Sequence, residues 1–328
     1  MPVYDAERYL KQSMESILDQ SFRDFEFIII SEHGTSDEST AAIESYHDPR
    51  IRHIHNTRWM GYPGSLNVGI KEARGEYIAL QDADDVSSQQ RLEREVRFLD
   101  EHPRVGVVGS WFEVIDENGK VISEKHTPVE SAVIKWQLLF WCPIANPSAM
   151  VRRAIYDQLN GYDVRLRVGP DYEFWTRASQ ITEFANLTDK LLRYRDHSAS
   201  LSHANEHAVK EATLAISRKA IAKVLGKSVP TRLLSALAWP SPISRARDCL
   251  DAARVFHDLC LQYTSQIVVS PAERSLVLRE GVQTLLFHAR RCMKKNAILS
   301  LLIGCIAVRL ALEGKALVSP PCWKWSAF

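Results

Sequence analysis

The sequence has no C-x-x-C pair and no metal-ligand spacing among its six cysteines, Cys142, Cys249, Cys260, Cys292, Cys305 and Cys322. Scattered cysteines argue against a disulfide framework and fit reduced thiols in a cytosolic compartment. Charge of one sign is missing as well: 41 Lys and Arg against 40 Asp and Glu give a formal net charge of +1. Without a long-range basic field, nucleic acid is not an expected partner. No Gly-rich phosphate loop with a lysine stands near the N-terminus, which argues against a nucleotidyltransferase of that loop class. No signal-peptide pattern precedes the first charged residues, so a cytoplasmic location is expected. The longest uncharged apolar run, Asn296 to Val308, falls short of the roughly 20 residues a spanning helix needs. Its flanks, Arg290, Arg291, Lys294, Lys295 and Arg309, fit a buried terminal helix or one lying in a membrane plane. Peripheral contact at the inner face of the membrane is the corresponding expectation.

What is present is ordinary for a globular chain: 328 residues, 45% hydrophobic and 25% charged, enough for one large domain and a smaller one. The organising stretch is Gly75-Glu76-Tyr77-Ile78-Ala79-Leu80-Gln81-Asp82-Ala83-Asp84-Asp85. Tyr77 to Leu80 predicts a short buried parallel strand running into three carboxylates. Ligands of open α/β sheets sit at such C-terminal strand ends. In extended chain, Asp82 and Asp84 project to the same side. Two hard oxygen ligands there suit Mg²⁺ or Mn²⁺ bound with phosphate oxygens. The competing reading is a solvated acidic turn capping a helix that starts near Ser88.

Helices and strands alternate along the first 202 residues. Asp5 is a candidate N-cap for a helix carrying Leu10, Met14, Ile17 and Leu18. Strands are expected at Phe25–Ile30, Ile51–His55, Val105–Gly109, Pro147–Arg152 and Leu191–Arg195, with a hairpin turning at Asn118-Gly119. Helices are expected at 37–46, 63–73, 88–101 and 171–178. This order predicts an α/β fold: a doubly wound, mostly parallel sheet with helices on both faces. From residue 203 to 328 helical periodicity dominates, interrupted by Trp239-Pro240-Ser241-Pro242. The expected organisation is a 1–202 catalytic domain and a helical region over 203–328.

Several motifs occur in a fixed order: P-V-Y at Pro2–Tyr4, an acidic-Gly turn at Glu32–Gly34, G-E-Y-I-A-x-x-D-A-D-D at Gly75–Asp85, and P-D-Y-E-F-W at Pro170–Trp175. With the V-G-V-V-G-S-W strand and the D-E-N-G-K hairpin, this order resembles the family 2 glycosyltransferases, nucleotide-sugar enzymes of the GT-A fold. The resemblance covers about residues 1–202. It implies that Pro2 and Tyr4 lie at the uracil ring, and that Glu32 hydrogen-bonds the base. It implies that Asp82 contacts the ribose or diphosphate side, that Asp84 binds the metal, and that His197 stands near the diphosphate. Asp171 would be the general base that deprotonates the acceptor hydroxyl, with inversion at the anomeric carbon. The implied cofactor is Mn²⁺ or Mg²⁺, and the implied partners are a nucleotide-sugar donor, UDP-linked, and a glycan or lipid-linked acceptor of surface polysaccharide synthesis.

Three departures from the family pattern carry expectations of their own. The apolar residues that usually precede P-V-Y are missing, so Met1 is expected to be an internal methionine of a longer reading frame, or the point at which a longer chain was cut. Glu32-His33 replaces Asp-Asp, and the extra methylene is expected to loosen the carboxylate's geometry. Pro170 replaces an acidic neighbour of Asp171, which is expected to lower the base's pKa if it changes it. The missing strand and Glu32-His33 leave open a degenerate homologue that binds without turnover. Trp136, Trp141 and Trp175 are a candidate sugar-stacking wall against the commoner alternative of buried aromatics. His203 and His207 have helical spacing but no third ligand.

Overall fold

The computed structural model describes residues 1–198, 200, 206–238, 246–267, 270–293 and 297–314. His203, Cys322 and the Trp239-Pro240-Ser241-Pro242 linker lie outside them. The chain falls into two compact units, Met1–Glu130 with Cys142–Val209, and Ser131–Trp141 with the described residues from Lys210 on.

The first unit opens on a parallel sheet, β1 (Pro2–Val3), β2 (Phe27–Ser31) and β3 (Ile51–His55), in that order. Helix α1 (Glu7–Leu18) presents Leu10, Met14 and Ile17 at helical spacing, and these bury against Val3, Phe27, Ile29 and Ile43. Asp5 does not cap α1. Its backbone is left-handed, at φ 45°, and its carboxylate accepts from the Ser36 N–H at 2.7 Å. Ser36 is the N-cap of α2 (Asp37–Glu44), where its hydroxyl accepts from the Ser39 N–H. Helix α3 (Gly61–Glu72) then leads to β4 (Tyr77–Ala79).

The second sheet holds β4, β5 (Val86–Ser87), β6 (Val105–Ile115), β7 (Val121–Lys125), β8 (Met150–Arg152) and β9 (Glu183–Arg195). Its order is β4-β8-β6-β9-β5, with β7 paired to β6. Only β6 and β9 run parallel in it; β4 pairs antiparallel with β8. The expected buried parallel strand at Tyr77–Leu80 is therefore a short antiparallel one, with Ala79 exposed and Leu80 buried. An apolar run alone does not reveal strand direction, because both kinds of pairing satisfy the same backbone groups. Helices α4 (Arg91–Glu101), α6 (Arg153–Leu159) and α7 (Pro170–Ala178) belong to this unit. Trp175 is buried against Phe174 and Phe184.

The second unit contains α5 (Ser131–Gln137), α8 (Glu206–Leu225), α9 (Thr231–Ala238), α10 (Ala246–Gln266), α11 (Pro271–Met293) and α12 (Ala297–Gly314). Trp136 stands at its centre, edge-on to Phe140, Phe256 and Tyr263. Trp136 and Trp175 are thus core residues, each in its own unit, and neither offers a face to a sugar. Gly281 permits the close approach of helices here: a Cβ on it would stand 2.6 Å from Cys260 Sγ and 3.1 Å from Leu310 Cδ2. Along α12, Ile303, Ala307 and Leu310 are buried while Leu301, Val308 and Leu312 are exposed. No described helix is long and apolar enough to cross a membrane.

Candidate active site

The acidic turn after β4 is built around a buried amide. Gln81 Nε2 donates to the carbonyls of Asp82 (3.1 Å) and Asp85 (2.9 Å), while its Oε1 accepts from Ser87 Oγ and Arg91 Nη1. Ser13 Oγ, from α1, donates to the Asp82 carbonyl at 2.8 Å. The far side is closed by Arg195, at the end of β9. Its backbone N–H donates to Asp85 Oδ1 at 2.7 Å and its Nε to the Asp84 carbonyl at 2.8 Å. This pairing sorts the three carboxylates, with Asp85 Oδ2 left buried without a hydrogen-bond partner. Asp85 turns inward, and burial, then the charges of Asp84 and Asp82, push its pKa well above the usual range. Asp82 and Asp84 are left for other work.

Asp82 Oδ1 accepts from the Tyr62 hydroxyl at 2.9 Å. Burial, with the neighbouring Asp84 charge second, pushes Asp82 up to about 7. Asp84 Oδ2 lies 2.9 Å from His197 Nε2, so residues 113 positions apart in sequence meet here. Asp171 stands in the first turn of α7, behind the left-handed Gly169 and Pro170. Its charge acts on Asp82, Tyr62 and Cys142. Burial raises the pKa of Asp171 although the helix's own N–H groups oppose it. Loss of water thus outweighs the stabilisation of the carboxylate by the helix N-terminus.

Tyr62 ties this cluster to a buried hydroxyl–amide chain. Asn146 Nδ2 donates to Tyr62 Oη at 2.9 Å, and Tyr162 Oη donates to Asn146 Oδ1 at 3.2 Å. Desolvation, then the charges of Asp82 and Asp171, keep the Tyr62 phenol protonated far above its ordinary range. At the other end of the site, Glu32 is locked rather than loosened. Its Oε1 accepts from the N–H groups of His33 and Met60, both at 2.9 Å, and from Asn56 Nδ2; its Oε2 accepts from Ser65 Oγ. Burial works to raise the pKa of Glu32, but these donors outweigh it and hold the carboxylate below the usual range. Tyr4 is exposed, follows Pro2–Val3 of β1, and meets Trp59 edge-on at 4.9 Å.

Asp84 and His197 are thus in contact beside Asp82, Asp171 acts on Asp82 through its charge, and Tyr4 and Glu32 form a second group. Residues 56–65 join them, since Asn56, Met60 and Ser65 hold Glu32 while Tyr62 holds Asp82. Trp59, Tyr62 and Arg195 were not among the sequence-predicted site residues. The Trp-Met-Gly-Tyr run that leads into the first turn of α3 was the available signal, two large aromatics near a glycine.

The carboxylates of this set suit Mg²⁺ or Mn²⁺, with the His197 imidazole at the side of Asp84. A carboxylate and an imidazole already meet at 2.9 Å, and crowding of Asp82 by Asp84 is the kind of repulsion a cation relieves. Among the described residues these groups do not gather a third protein ligand atom. That suits an ion that completes its shell with phosphate oxygens and water.

Residues 1–159 match the model described as Glycosyl transferase family 2. Over 195 residues the chain is 35% identical to the uncharacterized glycosyltransferase MJ1057 of Methanocaldococcus jannaschii, covering 58% of this chain and 67% of that one. The chain belongs to glycosyltransferase family 2. This family 2 glycosyltransferase is also 30% identical over 205 residues to the O-antigen biosynthesis glycosyltransferase WbnJ of Escherichia coli, covering 61% and 79% of the two chains. Its fold is that of S. aureus TarS 1–349, solved with UDP-GlcNAc, at a TM-score of 0.57 and 16% identity over 95% of this chain and 87% of that one. The glycosyltransferase is accordingly a GT-A α/β protein with a helical C-terminal region.

Proposed function

We propose that this glycosyltransferase transfers a sugar, with inversion, from a nucleoside-diphosphate donor to a glycan or lipid-linked glycan. One observation carries the reading: Asp84 Oδ2 meets His197 Nε2 at 2.9 Å in the acidic turn that also presents Asp82. Asp84 and His197 would hold Mn²⁺ or Mg²⁺. When bound, the ion supplies neutralisation of the charge that develops on the departing nucleoside diphosphate. Asp82, backed by the Tyr62 hydroxyl, orients the ribose–diphosphate side. Asp171 accepts the proton of the attacking acceptor hydroxyl, and its raised pKa brings it nearer the pH at which a general base is most effective. Tyr4 takes one face of the base, and Glu32 fixes the wall beside it and has Oε2 capacity left for a base N–H.

UDP is the donor nucleotide to test first, supported by the UDP-GlcNAc bound to TarS. A role in surface polysaccharide synthesis is supported by the likeness to WbnJ. All these residues fall in the proposed catalytic domain, 1–202. The helical region, 203–328, would serve as a peripheral contact with the inner face of the membrane, through the exposed Leu301, Val308 and Leu312 of α12. The test is a panel of nucleotide sugars with Mn²⁺, scored by release of nucleoside diphosphate. One donor should turn over, and Asp84→Ala should abolish that turnover; a folded protein that binds UDP and turns over no donor with any acceptor defeats the reading.

A further inference from the structure

A second set of metal-ligating side chains lies apart from the acidic turn. His53 and His55 stand two residues apart on β3, an edge of the parallel sheet, so both project from the same face. Glu44 closes α2, the helix that leads into β3, and faces them. One ligand atom from each of Glu44, His53 and His55 lies within 4.8 Å of the other two. Glu44 Oε1 is 4.0 Å from His55 Nε2, and the two imidazole rings are 4.0 Å apart at their centroids. Ser31, on the adjacent strand, supplies an independent observation: its Oγ lies 2.7 Å from His53 Nε2. An outer hydrogen bond of this kind fixes the orientation of a ligating histidine and leaves its other nitrogen free.

We propose that Glu44, His53 and His55 form a binding site for a borderline divalent cation of the Zn²⁺ class, held on Ser31 and separate from the Asp84 site. Imidazole suits Zn²⁺, Co²⁺, Ni²⁺ and Cu²⁺, whereas the oxygen-rich Asp82–Asp84 turn suits Mg²⁺ or Mn²⁺. Tetrahedral zinc, with bonds of about 2.0–2.1 Å, needs ligand atoms about 3.3 Å apart. Rotation of Glu44 and His55, both exposed, closes that difference, and water takes the fourth position. An ion there pins the end of α2 to the edge strand. Ser31 directly precedes Glu32, so it also stiffens the chain leading into the nucleotide end of the site.

Co²⁺ titration of the full chain, followed by visible absorption, tests this in wild type, Asp84→Ala, His55→Ala, Glu44→Gln and Ser31→Ala. Circular dichroism checks folding of each variant. Asp84→Ala should retain one equivalent of Co²⁺ with tetrahedral-type absorption, displaced by Zn²⁺. His55→Ala and Glu44→Gln should each lose that absorption, and Ser31→Ala should weaken binding about tenfold. The site is refuted if Asp84→Ala abolishes all Co²⁺ binding, or if folded His55→Ala and Glu44→Gln bind as wild type does.

Discussion

Replacing Asp82 by asparagine should stabilise the metal-free protein while abolishing its activity. The folded state holds Asp82 at about 7 against an ordinary 3.8. Between those values the folded chain keeps a proton that the unfolded chain has released, so stability falls as pH rises through the window. About 3 pH units at about 1.4 kcal/mol each set a ceiling of about 4 kcal/mol, present in full above pH 7. Asp82 is only partly buried, and solvent screening brings the expected gain to about 2 kcal/mol. The amide keeps an oxygen acceptor for the Tyr62 hydroxyl, so no buried donor is orphaned. Differential scanning calorimetry in EDTA should show Asp82→Asn melting about 4–8 °C higher than wild type at pH 8. At pH 5 wild-type Asp82 is neutral when folded, and most of the gain should vanish. Equal melting temperatures at pH 8, or a gain of the same size at pH 5, would refute the argument.

Three further outcomes are expected. Tyr62→Phe removes a donor that lowers the Asp82 pKa, so the acidic limb of the pH–rate profile should move to higher pH and kcat/KM should fall about tenfold. Trp59→Ala should raise the donor KM about five- to tenfold, with kcat nearly unchanged, because an edge-on aromatic contact of about 1 kcal/mol is lost from the wall beside Tyr4. Gly281→Ala should destabilise the helical unit by about 1–3 kcal/mol in a chemical melt, since its Cβ meets Cys260 Sγ at 2.6 Å.

The acidic turn and the P-D-Y-E-F-W helix were legible because each sits in an ordered run of motifs with local signals; His197 was expected only from the family resemblance, and the structure brings it to Asp84. Strand direction at Tyr77–Ala79 was not, since periodicity reports burial and not the partner. The sorting of Asp85 away from Asp82 and Asp84 was also hidden. It depends on Arg195, which is 110 residues distant, and no local pattern encodes that contact. Asp5 misled for a related reason: a carboxylate before a helix suits its N-terminus, yet here it serves the Ser36 N–H of a neighbouring loop. The rise in the Asp171 pKa follows from burial, which the change of one neighbour in sequence cannot report. Trp136 and Trp175 were undecidable from composition, because a core ring and a sugar platform use the same residue.

The general-base assignment is tested most directly by measuring donor affinity and turnover separately in Asp171→Asn. With the donor found in the panel, calorimetry should give a Kd within about twofold of wild type. Transfer to acceptor or water should fall by about 10²–10⁴. A folded Asp171→Asn variant that binds donor normally and keeps wild-type turnover would contradict the account.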